Sequence, residues 1–329
     1  MELIKNTLWE NYDDKPLSVS VITPVFNRRD LLPRTLESVY CQTTRDFEYI
    51  IVNDGSTQYI DDIVTEFMGK ADFPVLYIKK ENGGVHTARN AGICAARGQM
   101  IALMDSDDEF TDDALEVLIN IWNSIPGDHD EYLGIRTPVI NEKGVVQGEL
   151  FPDAINELPR EESYAIFQRI NAGVEHYGFR RADIMKANPW PEPENITFVT
   201  ERILWGVLEK DYKYFYTNYV PRIYHTENED SYIRRKKHSM QTIKNKHWNS
   251  SFILNRPQIY KDSIKNRLVM NLQVCCFSRI IRESGQNPPG EKLLFWGDRL
   301  LQLLMYLPGM IVAHLYKKQR MEITVNANV

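Results

Sequence analysis

Val19-Ser-Val-Ile-Thr-Pro-Val25 and Phe47-Glu-Tyr-Ile-Ile-Val52 are two apolar runs of strand length. Between them, apolar residues recur at helical spacing from Leu31 to Tyr40, and Pro33 stands in the first turn, where a helix tolerates proline. A strand, a helix and a second strand of these lengths predict a βαβ unit, in which the two strands are parallel.

The same alternation continues toward the C-terminus. Pro74–Ile78 and Met100–Met104 are two further apolar runs of strand length. Helical spacing of apolar residues appears at Ile60–Phe67, Val85–Arg97 and Ala114–Trp122. The sequence therefore predicts an α/β fold of Rossmann-like type, with a mostly parallel sheet flanked by helices.

The pattern changes after about residue 130. Residues 132–140 and 144–150 predict a hairpin that turns at Asn141–Gly144. Helices are predicted near 160–170, 178–187 and 199–210, strands at 212–216 and 219–224, and a C-terminal helical extension from about 262.

The composition is that of a globular protein. The 329 residues carry 39 basic and 45 acidic side chains, and the net charge of −6 argues against a nucleic-acid partner. The four cysteines form no CxxC pair, which favours a reducing compartment over a disulfide framework. The N-terminus does not resemble a signal peptide, and the longest apolar run, Leu303–Ala313, is shorter than the roughly twenty residues that span a bilayer. We expect a cytoplasmic protein.

Polar residues follow each of the four predicted parallel strands, in the segments Thr23–Asn27, Asn53–Ser56, Asn82–Gly84 and Asp105–Asp108. In an open parallel sheet, ligands bind beyond the carboxyl ends of the strands. Turn chemistry also favours Asn, Asp, Gly and Ser, but four such clusters at one edge favour a binding site.

Asp105 and Asp107 are the strongest candidates for metal ligands. Two carboxylates one residue apart, directly after an apolar strand, can both reach Mg²⁺ or Mn²⁺ held against a diphosphate. Helix capping is the alternative, but Asp112 and Asp113 already stand before the next helix. Residues 105–116 contain seven acids and no base, a repulsion that a bound cation would relieve.

Four segments in this order resemble the motifs of family 2 glycosyltransferases: Ser20-Val-Ile-Thr-Pro-Val-Phe-Asn27, Val52-Asn-Asp-Gly-Ser56, Asn82-Gly-Gly-Val-His-Thr-Ala-Arg-Asn90 and Leu103-Met-Asp-Ser-Asp-Asp108. The resemblance covers residues 18 to about 110, and more loosely extends to about 230. It implies the GT-A fold and an inverting enzyme that uses a nucleotide-sugar donor.

The resemblance also implies a nucleotide pocket formed by residues of these motifs: Thr23, Pro24, Val25, Asn27, Asp54, Asn82, Gly84, Arg89 and Asp105. Asp54 would accept a hydrogen bond from the base, and Arg89 would lie on the base and ribose side unless it forms a salt bridge on the helix surface. Asp105 would face the ribose or the metal, and Asp107 the metal. The implied cofactor is a divalent cation, Mn²⁺ or Mg²⁺.

Glu201 is the candidate catalytic base. Family members carry a Glu-Asp pair about 90 residues after the metal motif, and alignment on Trp205 places Thr200 and Glu201 at those positions. A carboxylate near a diphosphate can accept the proton of an acceptor hydroxyl, although Glu201 could instead cap its helix or pair with Arg202. His225 is a candidate ligand of the metal or phosphate, the alternative being a structural histidine.

Three regions are predicted: a GT-A catalytic domain at 1–231, a basic flexible loop or linker at 232–261, and a C-terminal helical segment at 262–329. The basic run Arg234–Lys237 is either a solvated loop or a contact for a diphosphate. The apolar tail ends in Lys317, Lys318 and Arg320, and it either packs on the core or lies in the membrane interface against anionic lipid.

Together these observations predict an inverting, metal-assisted glycosyltransferase at the cytoplasmic face of a membrane. It would move a sugar from a nucleotide-diphosphate donor to a hydroxyl of a glycan or a lipid-linked acceptor, and UDP is expected because it is the commoner nucleotide in the family. One rival, a sugar nucleotidyltransferase, would need a glycine-rich loop after the first strand, but Pro24–Arg29 contains no glycine. The other rival, a non-catalytic nucleotide-sugar or glycan binding module, would not need acids at Asp105, Asp107 and Glu201.

Overall fold

A computed structural model describes residues 1–11, 17–171, 173–225, 239–257, 259, 264–290, 292–294, 296–305 and 308–315. The chain divides into two compact units. The first comprises Met1–Trp190 and Leu208–Ser231, and the second comprises Pro191–Val207 and Tyr232–Val329.

The first unit contains a large sheet, a small sheet and the helices that flank them. Its strands are β1 (Glu2–Lys5), β2 (Val19–Val25), β3 (Phe47–Asp54), β4 (Val75–Lys80), β5 (Met100–Leu103), β6 (Glu109–Phe110), β7 (Tyr132–Pro138), β8 (Ile140–Asn141), β9 (His176–Tyr177), β10 (Arg180–Arg181), β11 (Lys213–Tyr216) and β12 (Arg222–Tyr224). Its helices are α1 (Thr7–Glu10), α2 (Leu32–Tyr40), α3 (Asp61–Lys70), α4 (Val85–Ala95), α5 (Ala114–Ser124), α6 (Arg160–Asn171) and α7 (Ala182–Ala187), and Asp153–Glu157 form a 3₁₀ helix. Helix α8 (Arg202–Asp211) contains residues of both units.

The large sheet has the strand order β1-β4-β3-β2-β5-β10-β7-β11, and β9 also pairs with β7. The pairs β2/β3, β3/β4, β2/β5 and β7/β11 are parallel, whereas β1 and β10 pair antiparallel with their neighbours. Every residue of β2 and β3 is buried, as expected for central parallel strands with both faces covered. The predicted mostly parallel sheet flanked by helices is confirmed.

The predicted hairpin at 132–150 is wrong in its second strand. Gly144–Leu150 forms no strand; a single antiparallel bridge joins Ile140 to Val146 after a turn in which the Gly144 amide donates to the Asn141 carbonyl. Gly144 and Gly148 both have positive φ, which interrupts an extended strand. The small sheet forms instead from β6, β12 and β8.

The second unit is mainly helical in its described part. It contains α9 (Met240–Leu254), α10 (Ile264–Glu283), α11 (Trp296–Leu304) and a helical stretch at 308–315. Its apolar core is a cluster formed by Ile243, Cys276, Phe277, Ile280, Ile281 and Ala313. Helices α10 and α11 confirm the predicted C-terminal helical extension, whereas α9 lies within residues 232–261, where a flexible loop or linker was predicted. Within the described ranges, none of the helices combines the length and the apolar character needed to cross a membrane.

The strand registers bring the predicted site segments to one edge of the large sheet. Val25 at the end of β2 pairs with Asn53 of β3, and Asp54 pairs with Lys80 at the end of β4. On the other side of β2, Ile22 pairs with Leu103, the last residue of β5. The residues that follow these strands therefore leave the sheet side by side.

Candidate functional site

Asn27 joins the segments that follow β2 and β3. Its backbone lies in the left-handed region, with φ of 53°, which asparagine tolerates better than most residues. Its Oδ1 accepts hydrogen bonds from the amides of Thr57 and Gln58 at 2.8 and 3.2 Å, and its own amide donates to Ser56 Oγ at 3.1 Å. The two segments thus form one connected surface at the sheet edge.

Thr23, Pro24 and Val25 are buried within β2. The Thr23 hydroxyl accepts a hydrogen bond from Tyr49 at 2.9 Å, and Val25 belongs to the apolar core of the first unit. Their predicted contacts with a base would therefore come from the end of the strand and its backbone, since the Thr23 hydroxyl is already bonded inside the sheet.

Asp54 organises the Asn82–Gly84 segment. Its carboxylate accepts hydrogen bonds from Lys80 Nζ at 2.6 Å and from the amides of Gly83 and Gly84 at 3.0 and 2.8 Å. Gly84 immediately precedes α4, where a negative charge is favourable because of the helix dipole. In this structure Asp54 therefore shapes the segment that contains Asn82 and Gly84; a contact with the base stays a prediction.

Arg89 lies on α4 and reaches the acidic motif after β5. Its Nη2 lies 2.9 Å from Asp105 Oδ1, and its guanidinium carbon lies 5.9 Å from the ring centre of Trp190. The Arg89 side chain is buried, so the ion pair is not the exposed helix-surface bridge considered as the alternative. The structure brings Arg89 and Asp105 together at the sheet edge.

Asp105 and Asp107 are the accessible carboxylates of the motif. Their side chains are 38% and 21% exposed, whereas that of Asp108 is 1% exposed. Arg28 Nε lies 3.9 Å from Asp107 Oδ2, and Arg34 donates a hydrogen bond to the Asp107 carbonyl oxygen. The first two acids can therefore meet a ligand, and the third cannot.

Asp108 is held by the residues around β12. Arg222 Nη2 lies 2.9 Å from its Oδ2, and the amide of His225 donates to its Oδ1 at 3.0 Å. Burial raises the pKa of Asp108 to about 7; the Arg222 charge opposes this rise, and the neighbouring carboxylates of Asp105 and Asp107 add to it. The raised pKa of Asp108 therefore reflects mainly the burial of its carboxyl group, with a smaller contribution from the two neighbouring carboxylates.

His225 does not join Asp105 and Asp107 in a three-residue metal cluster. Its Nε2 lies 2.6 Å from Glu109 Oε1, and Glu109 also lies 3.3 Å from Arg34 Nε. Across the described ranges, no group of three or more His, Cys, Asp or Glu side chains could hold a metal ion. Asp105 and Asp107 alone still offer hard carboxylate oxygens, and Mg²⁺ and Mn²⁺ commonly complete such a set with phosphate and water. The two acids therefore fit a cation that is shared with a diphosphate.

Glu201 lies in the second unit, immediately before α8. Its Oε2 accepts a hydrogen bond from the indole nitrogen of Trp205 at 3.3 Å, and its side chain is exposed. Its role as a base stays a prediction. The basic run Arg234–Lys237 and the tail residues Lys317, Lys318 and Arg320 lie outside the described residues.

Sequence reasoning missed the arginines that surround the acidic motif: Arg28, Arg34 and Arg222. Arg28 and Arg34 stand close to a quoted motif, which is a usable signal. Arg222 had a weaker signal, a lone charge in the short strand Arg222–Tyr224, and nothing local indicates its pairing with Asp108.

Residues 20–130 match the family model of glycosyl transferase family 2. An uncharacterized glycosyltransferase of Rickettsia felis is 37% identical over 152 residues, covering 43% of this chain and 24% of the relative. The glycosyltransferase GlyA of Streptococcus pneumoniae is 40% identical over 106 residues, covering 32% of this chain and 15% of the relative. The chain thus spans at most about a quarter of the length of these curated relatives.

Solved structures share the fold at low sequence identity. Residues 1–349 of Staphylococcus aureus TarS, crystallised in complex with UDP-GlcNAc, match with a TM-score of 0.52 and 18% identity over 88% of this chain and 79% of that chain. The TarS complex with UDP matches with a TM-score of 0.51 over 92% of both chains. The first unit therefore has the GT-A type of sheet, and its residues 20–130 are similar to glycosyl transferase family 2.

Proposed function

We propose that the chain is an inverting glycosyltransferase that moves a sugar from a nucleotide-diphosphate donor, UDP-linked in the first instance, to a hydroxyl of a glycan or lipid-linked acceptor. One observation carries the proposal. Asp105 and Asp107, two partly exposed carboxylates, follow a buried parallel strand at the edge where the segments after β2, β3 and β4 converge. This is the edge at which open parallel sheets bind ligands.

The comparisons support the choice of donor. The S. aureus TarS structures are described as complexes with UDP-GlcNAc and with UDP. The S. pneumoniae relative is named as a glycosyltransferase. By analogy, we assign the nucleotide of the donor to the surface formed by Asn27, Asp54 and the Asn82–Gly84 segment.

The acidic motif would hold the diphosphate end of the donor. Asp107, with Asp105, would bind Mn²⁺ or Mg²⁺, which would offset the charge of the departing nucleotide diphosphate. Arg89 would keep Asp105 oriented, because it pairs with one carboxylate oxygen at 2.9 Å and leaves the side chain partly exposed.

Glu201 would act as the base in a single displacement. The acceptor oxygen forms a bond to the anomeric carbon while the bond from that carbon to the diphosphate oxygen breaks, which inverts the configuration. The proton of the acceptor hydroxyl passes to the Glu201 carboxylate, and the nucleotide diphosphate leaves. A positioned carboxylate is the chemical type that this proton transfer needs.

We also propose that the second unit contacts an anionic membrane surface through α11. This helix buries an acidic residue and exposes leucines, which is the reverse of an ordinary surface helix. Asp298 is buried: its Oδ1 accepts a hydrogen bond from Asn271 Nδ2 at 3.0 Å, and its Oδ2 pairs with Arg267. Leu303 and Leu304 are 74% and 67% exposed. The exposed Arg299 lies on α11, and the exposed Lys292 precedes this helix in the sequence. Lys317 and Lys318 follow 308–315 in the sequence, and this charge pattern suits anionic lipid.

A donor screen tests the proposed function. The full chain is incubated with UDP- and GDP-linked sugars, with and without Mn²⁺, and release of the nucleotide diphosphate is measured. We expect Mn²⁺-stimulated release from one class of donor. Binding of a nucleotide sugar with no release, even when glycan acceptors are added, would instead indicate a binding module and would overturn the proposal.

A further inference from the structure

Arg222 is a buried arginine that contacts the acidic motif without being able to reach a ligand in solvent. It is 4% exposed, and its guanidinium carbon lies 5.3 and 5.4 Å from the ring centres of Tyr177 and Tyr224. Its Nη2 bridges two carboxylates, Asp108 Oδ2 at 2.9 Å and Glu175 Oε1 at 3.0 Å. A buried arginine with two carboxylate partners is fixed in one orientation.

Asp108 transmits this fixed orientation to the motif. Its amide donates to the Asp105 carbonyl at 3.2 Å, which closes the turn that contains Ser106 and Asp107. Its carbonyl accepts from the Thr35 hydroxyl at 2.8 Å, and its Oδ1 accepts from the His225 amide at 3.0 Å. Asp108 is thus anchored by its side chain on β12 and by its backbone on α2.

Strand β12 is well placed to hold the turn. It pairs antiparallel with β6, so that Arg222 faces Phe110 and Ile223 faces Glu109, directly after the acidic motif. The Thr111 amide also donates to the Pro221 carbonyl at 2.9 Å. The backbone pairing of β12 with β6 fixes the position of Arg222, and the ion pair with Arg222 in turn fixes the side chain of Asp108.

We propose that Arg222 is a positioning residue that holds the Asp105–Asp107 turn in its binding geometry through the buried carboxylate of Asp108. The expected effect on nucleotide binding rests on the proposed function. The role of Arg222 in holding the turn does not depend on it. Some residues orient the side chains that bind a metal without contacting the metal themselves. Mutation of such residues typically lowers the affinity of the site 10- to 100-fold.

Arg136 provides a matched control in the same unit. It is also a buried arginine, paired with Glu209, and its guanidinium carbon lies 4.2 and 3.8 Å from the ring centres of Phe167 and Tyr214. Its ion pair is with Glu209 of α8, not with the acidic motif. Arg222→Lys and Arg136→Lys therefore each remove a buried guanidinium group, with its several N–H donors, and keep the positive charge.

The experiment measures three quantities for wild type, R222K and R136K: UDP affinity by calorimetry in the presence of Mn²⁺, melting temperature, and hydrogen exchange of the Asp108 amide. We expect both variants to melt below wild type. Only R222K should bind UDP 10- to 100-fold more weakly and exchange the Asp108 amide faster.

Two outcomes would overturn the inference: equal losses of UDP affinity in R222K and R136K, or R222K with the affinity and Asp108 exchange of wild type. If wild type itself bound no UDP, the proposed donor would be wrong. The Asp108 exchange rate would still decide whether Arg222 holds the turn.

Discussion

Gly55 allows the close approach of two segments at the sheet edge. Its φ is +67°, and a Cβ built on it would lie 2.6 Å from the Asn82 backbone nitrogen. Neither the backbone conformation nor this contact tolerates a side chain, so glycine is required here for two separate reasons. The contact matters to the site because Asn82 begins the segment that Asp54 organises.

We predict that Gly55→Ala destabilises the first unit by about 1–3 kcal/mol more than Gly127→Ala. Gly127 is the matched control because its φ is +84° and nothing lies within 4 Å of the position that a Cβ would take, so alanine there meets the left-handed backbone without the contact. Urea unfolding of both variants measures the difference. Equal losses of stability would show that Asn82 can move away at no cost.

Glu201 provides the residue-scale test of the proposed chemistry. Glu201→Gln keeps an oxygen that can accept from Trp205 but removes the proton acceptor, so we predict a loss of transfer of about 10²- to 10⁴-fold with donor affinity unchanged. Glu194→Gln, an exposed acid in the same unit, should transfer at the wild-type rate. Steady-state rates with the donor found by the screen check both variants, and full activity of E201Q would remove Glu201 from the mechanism.

At the scale of elements, His247 links α9 to α10 and to the segment before Gly290. Its Nε2 lies 2.7 Å from Ser278 Oγ, and its Nδ1 lies 2.7 Å from the Pro289 carbonyl oxygen. A neutral ring can donate to the carbonyl and accept from the hydroxyl at once. Burial lowers the pKa of His247 to about 4, the Pro289 carbonyl opposes this change, and the Arg282 charge adds to it.

The lowered pKa predicts acid sensitivity of the second unit. Between pH 6.5 and about 4 the unfolded chain binds a proton that the folded chain does not, so the free energy of unfolding falls as the pH falls through this window. We expect a loss of about 2 kcal/mol between pH 7 and pH 5 from this residue.

Unfolding of wild type and His247→Gln at pH 7 and pH 5 measures that loss. The variant should be less stable at pH 7 but should lose about 2 kcal/mol less than wild type on acidification. His176→Gln tests the same effect in the first unit, because burial also lowers the pKa of His176 to about 4. An identical pH dependence of wild type and H247Q would contradict the prediction.

Helix α11 gives the element-scale test of membrane contact. We predict that wild type co-sediments with anionic liposomes at low salt, and that Leu303→Ser with Leu304→Ser weakens this binding at least tenfold, because both leucines are exposed and would enter the lipid interface. The control carries Leu3→Ser and Leu150→Ser, two exposed leucines of the first unit.

The salt dependence separates the contributions to that binding. Basic residues near an anionic surface each contribute roughly 1 kcal/mol, so added salt should release the protein. Wild type that stays in the supernatant at low salt would refute the membrane proposal. Equal binding by both double variants would place the contact elsewhere than α11.

At the scale of the whole molecule, the elements that could be predicted best are those marked by a hydrophobic pattern within their own stretch of sequence. Strands β2 to β5 are largely buried and form continuous apolar runs in the sequence, so their number and their parallel pairing could be predicted, but not their order in the sheet. Strand β1 was missed because it is short and largely exposed and pairs as an antiparallel edge strand with β4. Residues 219–221 were predicted as strand but β12 begins only at Arg222, directly after Pro221, which has no amide hydrogen for pairing.

The sequence predicted where the residues of the candidate site lie in the fold better than it predicted the side-chain contacts between them. The spacing of the motifs placed Asn27, Asp54 and Asp105 at one sheet edge, and the strand registers bring them there. The sequence did not indicate that Arg89 would pair with Asp105 or that Arg222 would hold Asp108. Such pairs join distant parts of the chain, and only the folded topology determines them.

The proposed function requires that the acidic motif binds the diphosphate end of a nucleotide-sugar donor. The most direct test is Mn²⁺-stimulated release of nucleotide from the donor by wild type, Asp107→Asn and the control Asp62→Asn, an exposed acid of α3 paired with Arg29. We predict that D62N keeps the wild-type rate and that D107N, while remaining folded, loses at least a hundredfold of it, because the carboxylate is the proposed cation ligand. Wild-type, Mn²⁺-stimulated turnover by D107N would contradict the account.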